Sequence, residues 1–146
     1  MRRPEVVLAN AYRALRPGGR FVAEQGGFGN VAAILTALNA SLEAVGYPEA
    51  AGNPWDFPTP AAQAARLEAS GFRVESAYLI ARPTPLPTGF AGWLATFGAP
   101  LMGNLPEEAQ RAVVADCARR LFHLTDENGT DVADYVRLRF DAVKPG

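Results

Sequence analysis

Leu15-Arg16-Pro17-Gly18-Gly19-Arg20-Phe21-Val22-Ala23-Glu24 packs a helix end, a glycine turn and a strand start into ten residues. Proline stops the helix because it lacks an N–H, and the paired glycines reach backbone angles closed to other residues. Phe21-Val22-Ala23 is then a short unbroken apolar run, the pattern of a parallel strand covered on both faces. Upstream, Pro4 suits a first helical position, and Val7, Ala11, Ala14 and Leu15 recur at helical spacing. The stretch predicts helix, turn and buried strand, in that order.

Downstream, Val31, Ile34, Leu35, Leu38, Leu42 and Val45 form one helical stripe, while Ala32, Ala33, Ala37 and Ala40 keep the rest of the surface small. A helix from Val31 to Val45 that packs on two sides is expected. Gly46 to Pro58 mixes glycine, proline and asparagine with Trp55 and Phe57 and has no period, which reads as a loop. Thr59 caps the next helix, Pro60 sits in its first turn, and Ser70-Gly71 stops it after Leu67. Phe72, Val74, Ser76, Tyr78 and Ile80 alternate with Arg73, Glu75, Ala77 and Leu79, a second strand that ends before Pro83, Pro85 and Pro87. Phe90, Trp93, Leu94 and Phe97 give a short apolar helix face, and Pro106-Glu107-Glu108 opens a helix with the stripe Ala109, Val113, Cys117 and Leu121. These helices form an insert at about residues 87–124. Tyr135 to Val143 alternates cleanly, giving a third strand with one apolar face. The expectation is one α/β domain over residues 1–146, with three strands, about five helices and a helical crossover that makes the first two strands parallel. Periodicity leaves the third strand's direction open.

The chain has 146 residues, 49% of them hydrophobic, and 14 basic against 15 acidic side chains leave a net charge of -1. No long-range field therefore points to nucleic acid or an anionic membrane. Arg2, Arg3, Arg13, Arg16 and Arg20 read as a solvated helix face. Cys117 is the only cysteine, which excludes an intrachain disulfide, a cysteine zinc cage and a redox pair, and fits a reducing cytoplasm. No apolar signal core follows Met1-Arg2-Arg3, and Thr36, Asn39, Ser41 and Glu43 make the longest helix too polar to span a bilayer. A soluble cytoplasmic chain is expected.

The run from Leu15 to Glu24 resembles the segment that leads into the fifth strand of the class I methyltransferases, which use S-adenosylmethionine (SAM). Three further pieces look like small-molecule members of the trans-aconitate methyltransferase kind. Ala23-Glu24-Gln25-Gly26-Gly27-Phe28-Gly29-Asn30 is similar to the acid and glycine loop after that strand. Pro54-Trp55-Asp56-Phe57-Pro58 resembles the loop before the helix that leads into the sixth strand, and Asp134-Tyr135-Val136-Arg137-Leu138-Arg139-Phe140 resembles the closing strand. The resemblance implies a partial Rossmann-like methyltransferase fold, with a three-stranded mixed sheet in the order first, third, second and the last strand antiparallel. Arg137 and Arg139 then need acids on a covering helix, or a sheet face that stays wet. The family's cofactor machinery lies in four earlier strands, on the order of 100 residues with their crossovers. Its glycine loop and ribose-holding acid have no counterpart here, so the chain reads as a carboxyl-terminal, substrate-side fragment. SAM is the implied cofactor but is not expected to bind this chain alone. Activity would require complementation by an amino-terminal half, separately encoded or lost from the gene model. The other implied partner is a small-molecule substrate.

Two other functions compete. Gly27-Phe28-Gly29-Asn30-Val31-Ala32 matches a dinucleotide loop between strand and helix, which would make the chain part of an oxidoreductase. The second strand with a ribose-binding acid that this requires is missing, and the glycines also read as a turn. Alternatively, an open edge at Phe21 to Glu24 suits a non-catalytic module that self-associates as a homodimer. His123, the lone histidine, has no evident partner as a general base and reads as a cap or surface residue, so no catalytic residue is assigned. Asp126, Asn128, Thr130 and Asp131 imitate a calcium loop but lack its sixth-position glycine and distant glutamate, so Asn128-Gly129 reads as a turn and no metal site is assigned. Trp93 and Phe97 read as core or contact surface. Ligands in open α/β sheets gather at the carboxyl ends of parallel strands. That places Glu24, Gln25 and Asn30 at a pocket, with Trp55 from the adjoining loop and Tyr135 at the start of the last strand; each also reads as a turn or core residue.

Overall fold

Alternation at the end of the chain builds the centre of the sheet: Leu138, Phe140 and Ala142 are buried on one face of β5 (Val136–Val143), while Arg139 between them is exposed. A computed structural model describes residues 3–47 and 55–146. Residues 48–54 of the expected loop, including Pro54, and Arg2 of the basic face lie outside the described residues. The chain divides into two compact units, one made of residues 1–30, 55–82 and 136–146, the other of residues 31–54 and 83–135.

In the first unit β1 (Arg20–Gly26) and β2 (Arg73–Ala81) flank β5, in the order β1-β5-β2. Both pairings are antiparallel, so β1 and β2 run the same way across the sheet. This is the order and last-strand direction expected from the resemblance. Arg139 lies between Glu24 and Tyr78, Leu138 lies between Gln25 and Leu79, and a bulge interrupts β2 between Val74 and Ser76. Helices α1 (Pro4–Ala14) and α3 (Pro60–Ala69) supply Leu8 and Leu67 to the core of Leu138, Phe140 and Ala142, with Phe72 from the turn before β2. Phe21 meets Phe140 edge-on at 5.1 Å between centroids, and Tyr12 meets Phe72 at 5.0 Å.

The caps follow the local chemistry. Thr59 Oγ1 accepts from Ala62 N at 3.1 Å at the start of α3, and Gly71 takes a φ of +95° past its end. Lys144 Nζ donates to the carbonyls of Tyr12 and Leu15 at 2.9 and 2.8 Å, filling acceptors that the end of α1 leaves open.

One sequence expectation needs correction. Phe21-Val22-Ala23 reads as covered on both faces, yet Val22 is 47% exposed, because an unbroken apolar run does not say which face meets solvent. Of the two alternatives for the β5 arginines, the wet face is the one found: Arg137 Nε lies 3.4 Å from Glu24 Oε1 on the neighbouring strand, and Arg139 is exposed.

In the second unit α2 (Ala32–Ala44) packs on α6 (Glu107–Arg120), and α4 (Gly89–Phe97) also packs on α6. Ile34, Leu38, Leu42, Phe90, Leu94, Val113 and Cys117 are buried there. The alanine side of α2 is less covered than expected. Ala32 is exposed, and Ala33, Thr36 and Ala40 border an open groove with Arg120 and His123. A four-residue helix, α5 (Ala99–Met102), brings the described helices to six rather than about five. Thr84-Pro85 (β3) pairs with Val132-Ala133 (β4) in a short ribbon that the proline-rich sequence conceals.

Candidate substrate-side site

Glu24 and Gln25 lie just before the last residue of β1, and as strand neighbours they point to opposite faces of the sheet. Glu24 reaches the open face, where its Oε1 accepts from Arg82 Nη1 at 3.0 Å and from Arg137 Nε at 3.4 Å. One carboxylate oxygen thus ties the end of β1 to β5 and to the residue after β2. Gln25 turns to the helical face, where its Nε2 donates to Oε1 of the buried Gln63 on α3 at 3.3 Å. Beside that amide pair, Arg66 grips Asp56 through two bonds, at 2.5 and 3.3 Å. Gln25, Gln63, Asp56 and Arg66 edge a cavity of about 220 Å³ with Phe21 and Phe140 among its apolar walls.

The turn after β1 is held from every side. Gly27 N donates to Val136 O at 3.0 Å, Phe28 N to Pro58 O at 3.0 Å, and Asn30 N to Gly27 O at 3.0 Å. Asn30, 5% exposed, turns its Oδ1 inward to accept from Val136 N at 2.9 Å. Asn30 therefore pins the start of β5, the structural half of its sequence reading. Gly26 and Gly27 are glycines for lack of room. A Cβ on Gly26 would stand 2.5 Å from the Phe57 ring, and one on Gly27 would stand 2.5 Å from Leu79 Cδ2 and 2.8 Å from Leu138 Cβ. Trp55 stacks obliquely on Phe57 at 5.8 Å.

Glu24, Gln25, Asn30 and Trp55 share the first unit, whereas Tyr135 belongs to the second. There the Tyr135 hydroxyl accepts from Trp93 Nε1 at 2.7 Å, and Phe97 leans on Trp93 at 5.3 Å. Sequence reading missed Gln63, Asp56 with Arg66, and Phe28. A glutamine at a helix position with apolar neighbours looks solvated until the strand it faces is known, and Phe28 was absorbed into the glycine motif.

The dinucleotide reading is not supported by the geometry of its own motif. Its first glycine, Gly27, is closed to a ligand, since a Cβ there would stand 2.5 Å from Leu79 Cδ2 and 2.8 Å from Leu138 Cβ, whereas Gly29 has only Val136 Cγ2 nearby, at 3.9 Å. The start of α2 is equally occupied: Asp134 accepts from Val31 N through its carbonyl at 3.1 Å and from Ala33 N through Oδ2 at 2.7 Å. Among the described residues no strand lies between α2 and α3. The same crowding at Gly27 bears on SAM: among the described residues this is the glycine-bearing strand-to-helix turn of the sheet, and Gly27 leaves no room there for a donor to approach.

Other candidates resolve into structure. His123 is exposed and stacks edge-on with Phe122 at 5.5 Å. Asp126 Oδ1 accepts from Asn128 N and Thr130 N at 2.9 and 2.8 Å, with Gly129 at a φ of +77°, so the calcium-like run is a turn closed on itself. Burial first, and the Asp116 carboxylate second, push the Cys117 thiol up to about 11. It is protonated at neutral pH and supplies no nucleophile. The Arg120 side chain, then the Ser41 hydroxyl, hold Asp116 below the ordinary carboxylate range. No described helix is long and apolar enough to cross a membrane.

No family model matches the chain. It is 34% identical to an uncharacterized methyltransferase of Schizosaccharomyces pombe over 152 aligned positions, covering 99% of this chain and 58% of the relative. Its fold is similar to that of a Bacillus halodurans protein solved as a "putative methyltransferase", with a TM-score of 0.56 and 17% identity over 99% of this chain and 64% of that one. The chain thus spans less than two thirds of either, and the fold it carries is a methyltransferase-like α/β fold.

Proposed function

We propose that this chain is the substrate-side portion of a SAM-dependent methyltransferase for a small molecule and does not transfer methyl groups by itself. The observation that supports this most is the pairing of two facts. The sequence aligns along nearly its whole length with 58% of a methyltransferase relative, and among the described residues β1 pairs with β5 alone, leaving its other edge without a strand. An open edge is a template for a further strand. In this reading a donor-binding portion, in the same polypeptide or a separate one, pairs along β1 and completes the sheet. When bound there, SAM supplies an activated methyl group.

The chain's own residues then position rather than react. Methyl transfer is driven largely by alignment of donor and acceptor, so no dedicated base is required. The Glu24 bridge to Arg82 and Arg137 and the Asn30 bond to Val136 fix the end of β1 and the turn where the acceptor would sit. The lone buried cysteine accords with a reducing cytoplasm, the location we assign.

The test is complementation. The chain is coexpressed with the part of the Schizosaccharomyces pombe relative that it does not match, and methyl-labelled SAM is photo-cross-linked to the purified product. A copurifying complex that takes the label is the expected result. Two polypeptides that do not associate, or a complex that takes no label, would contradict the proposal.

A further inference from the structure

A cavity and an open strand edge lie side by side in the first unit. Phe21, Ala23 and Gln25 are the inward-facing positions of β1, and all three line the cavity of about 220 Å³ together with Val7 and Leu8 of α1. From β5 only Phe140 reaches it, and from β2 nothing, so the space lies beside β1 and not beneath the middle of the sheet. That is the edge of β1 on which no described strand pairs. The volume exceeds the roughly 150 Å³ that admits a benzene-sized group, and Val7, 43% exposed, carries the apolar wall out to solvent. The polar wall is unfinished as well. Gln63 is 3% exposed, its Oε1 takes the Gln25 amide at 3.3 Å, and among the described residues its Nε2 has no acceptor. A buried amide donor without a partner is costly, so the space calls for an acceptor as well as for apolar bulk.

We propose that this cavity is the socket for the inward side chains of a strand that adds to the free edge of β1. This rests on the substrate-side reading above and states the chemistry of the partner segment within it. A strand paired there runs about 4.8 Å from β1, and every second side chain points to the face that carries Phe21, Ala23 and Gln25. Those side chains enter the cavity. The backbone edge then supplies main-chain bonds and the socket supplies selection, the division of labour of strand addition. The selected segment is apolar at the two inward positions beside Phe21 and Ala23 and carries a hydrogen-bond acceptor, as in asparagine, glutamine, serine or threonine, beside Gln25 and Gln63. A charged residue gains nothing there, because Asp56 and Arg66 at the rim are already closed on each other at 2.5 and 3.3 Å. A small molecule in the same space leaves the backbone groups of the β1 edge unpaired, whereas a strand satisfies edge and cavity together.

The test titrates the 146-residue chain with overlapping peptides of about 15 residues, enough to contain one strand, that tile the part of the Schizosaccharomyces pombe relative the chain does not match. Neighbouring peptides that share one such alternating segment are expected to bind. Ala23→Leu, whose side chain fills the socket, is expected to weaken that binding about tenfold, and Val22→Leu, on the opposite face of β1, to keep it within about twofold. The thermal midpoint of Ala23→Leu should not fall, since its added carbons enter a cavity and not a filled core. If it does fall, Gln63→Leu decides: weaker binding supports the socket, and equal binding contradicts it. No bound peptide, or binding that Ala23→Leu leaves unaltered, overturns the proposal. So does a dimer in light scattering that Ala23→Leu dissociates, or a copurified small molecule in native mass spectra that Ala23→Leu expels, because the socket would then hold a second copy or a ligand. The titration uses no SAM. Bound peptides beside a failed complementation leave the socket standing without the methyltransferase reading, and a labelled complex without bound peptides does the reverse.

Discussion

Phe140→Ala is expected to destabilise the first unit by about 4 kcal/mol, measured by urea unfolding followed by circular dichroism. The ring is 2% exposed on the central strand, meets Phe21 edge-on at 5.1 Å, and belongs to the cluster of Leu8, Leu67, Phe72 and Leu138. Alanine removes the transfer energy of the ring and leaves a void, because β5 is bonded to strands on both sides and has little freedom to collapse. The wet face offers the internal comparison. Arg139→Ala, one residue away on the exposed side, should change stability by no more than about 0.5 kcal/mol. Equal losses for the two would mean that the sheet's buried face has been wrongly assigned.

Gly27→Ala is expected to cost about 3 kcal/mol, more than an exposed glycine-to-alanine change, which often stabilises. The added methyl would stand 2.5 Å from Leu79 Cδ2, 2.8 Å from Leu138 Cβ and 3.1 Å from Leu138 N. The leucine tip on the edge strand has room to swing, since Leu79 is 38% exposed, but the Cβ and amide of Leu138 belong to the central strand and do not. Thermal unfolding of Gly27→Ala and of Gly27→Ala with Leu79→Ala separates these contacts. Partial recovery in the double variant is expected, with the residue of the loss assigned to Leu138. Full recovery would show the strand backbone to be unaffected.

The alternation of residues 136–143 named the buried side of β5 without help, and Thr59 with Ser70-Gly71 bounded α3 to within a residue. Strand order was legible only through the resemblance, since the three helices between β2 and β5 leave direction free. What stayed hidden depended on partners far away in the chain. The remote cap of α2 comes from Asp134, about a hundred positions on, and β3 contains a proline that local rules assign to a loop. Glu24 and Gln25 were placed together at a pocket because they adjoin in sequence, but strand geometry sends one toward two arginines and the other toward Gln63. Phe28 was hidden for a different reason. The turn that carries it is fixed by bonds from Phe28 N to Pro58 O and from Gly27 N to Val136 O that no pattern around residue 28 encodes.

The central claim is that the grip on the methyl donor lies outside this chain. Equilibrium titration of SAM into the isolated 146-residue protein, read by calorimetry, tests it most directly. The expected result is no saturable heat at millimolar donor. A one-to-one isotherm with a micromolar dissociation constant would show that these three strands hold the donor unaided and would contradict the account.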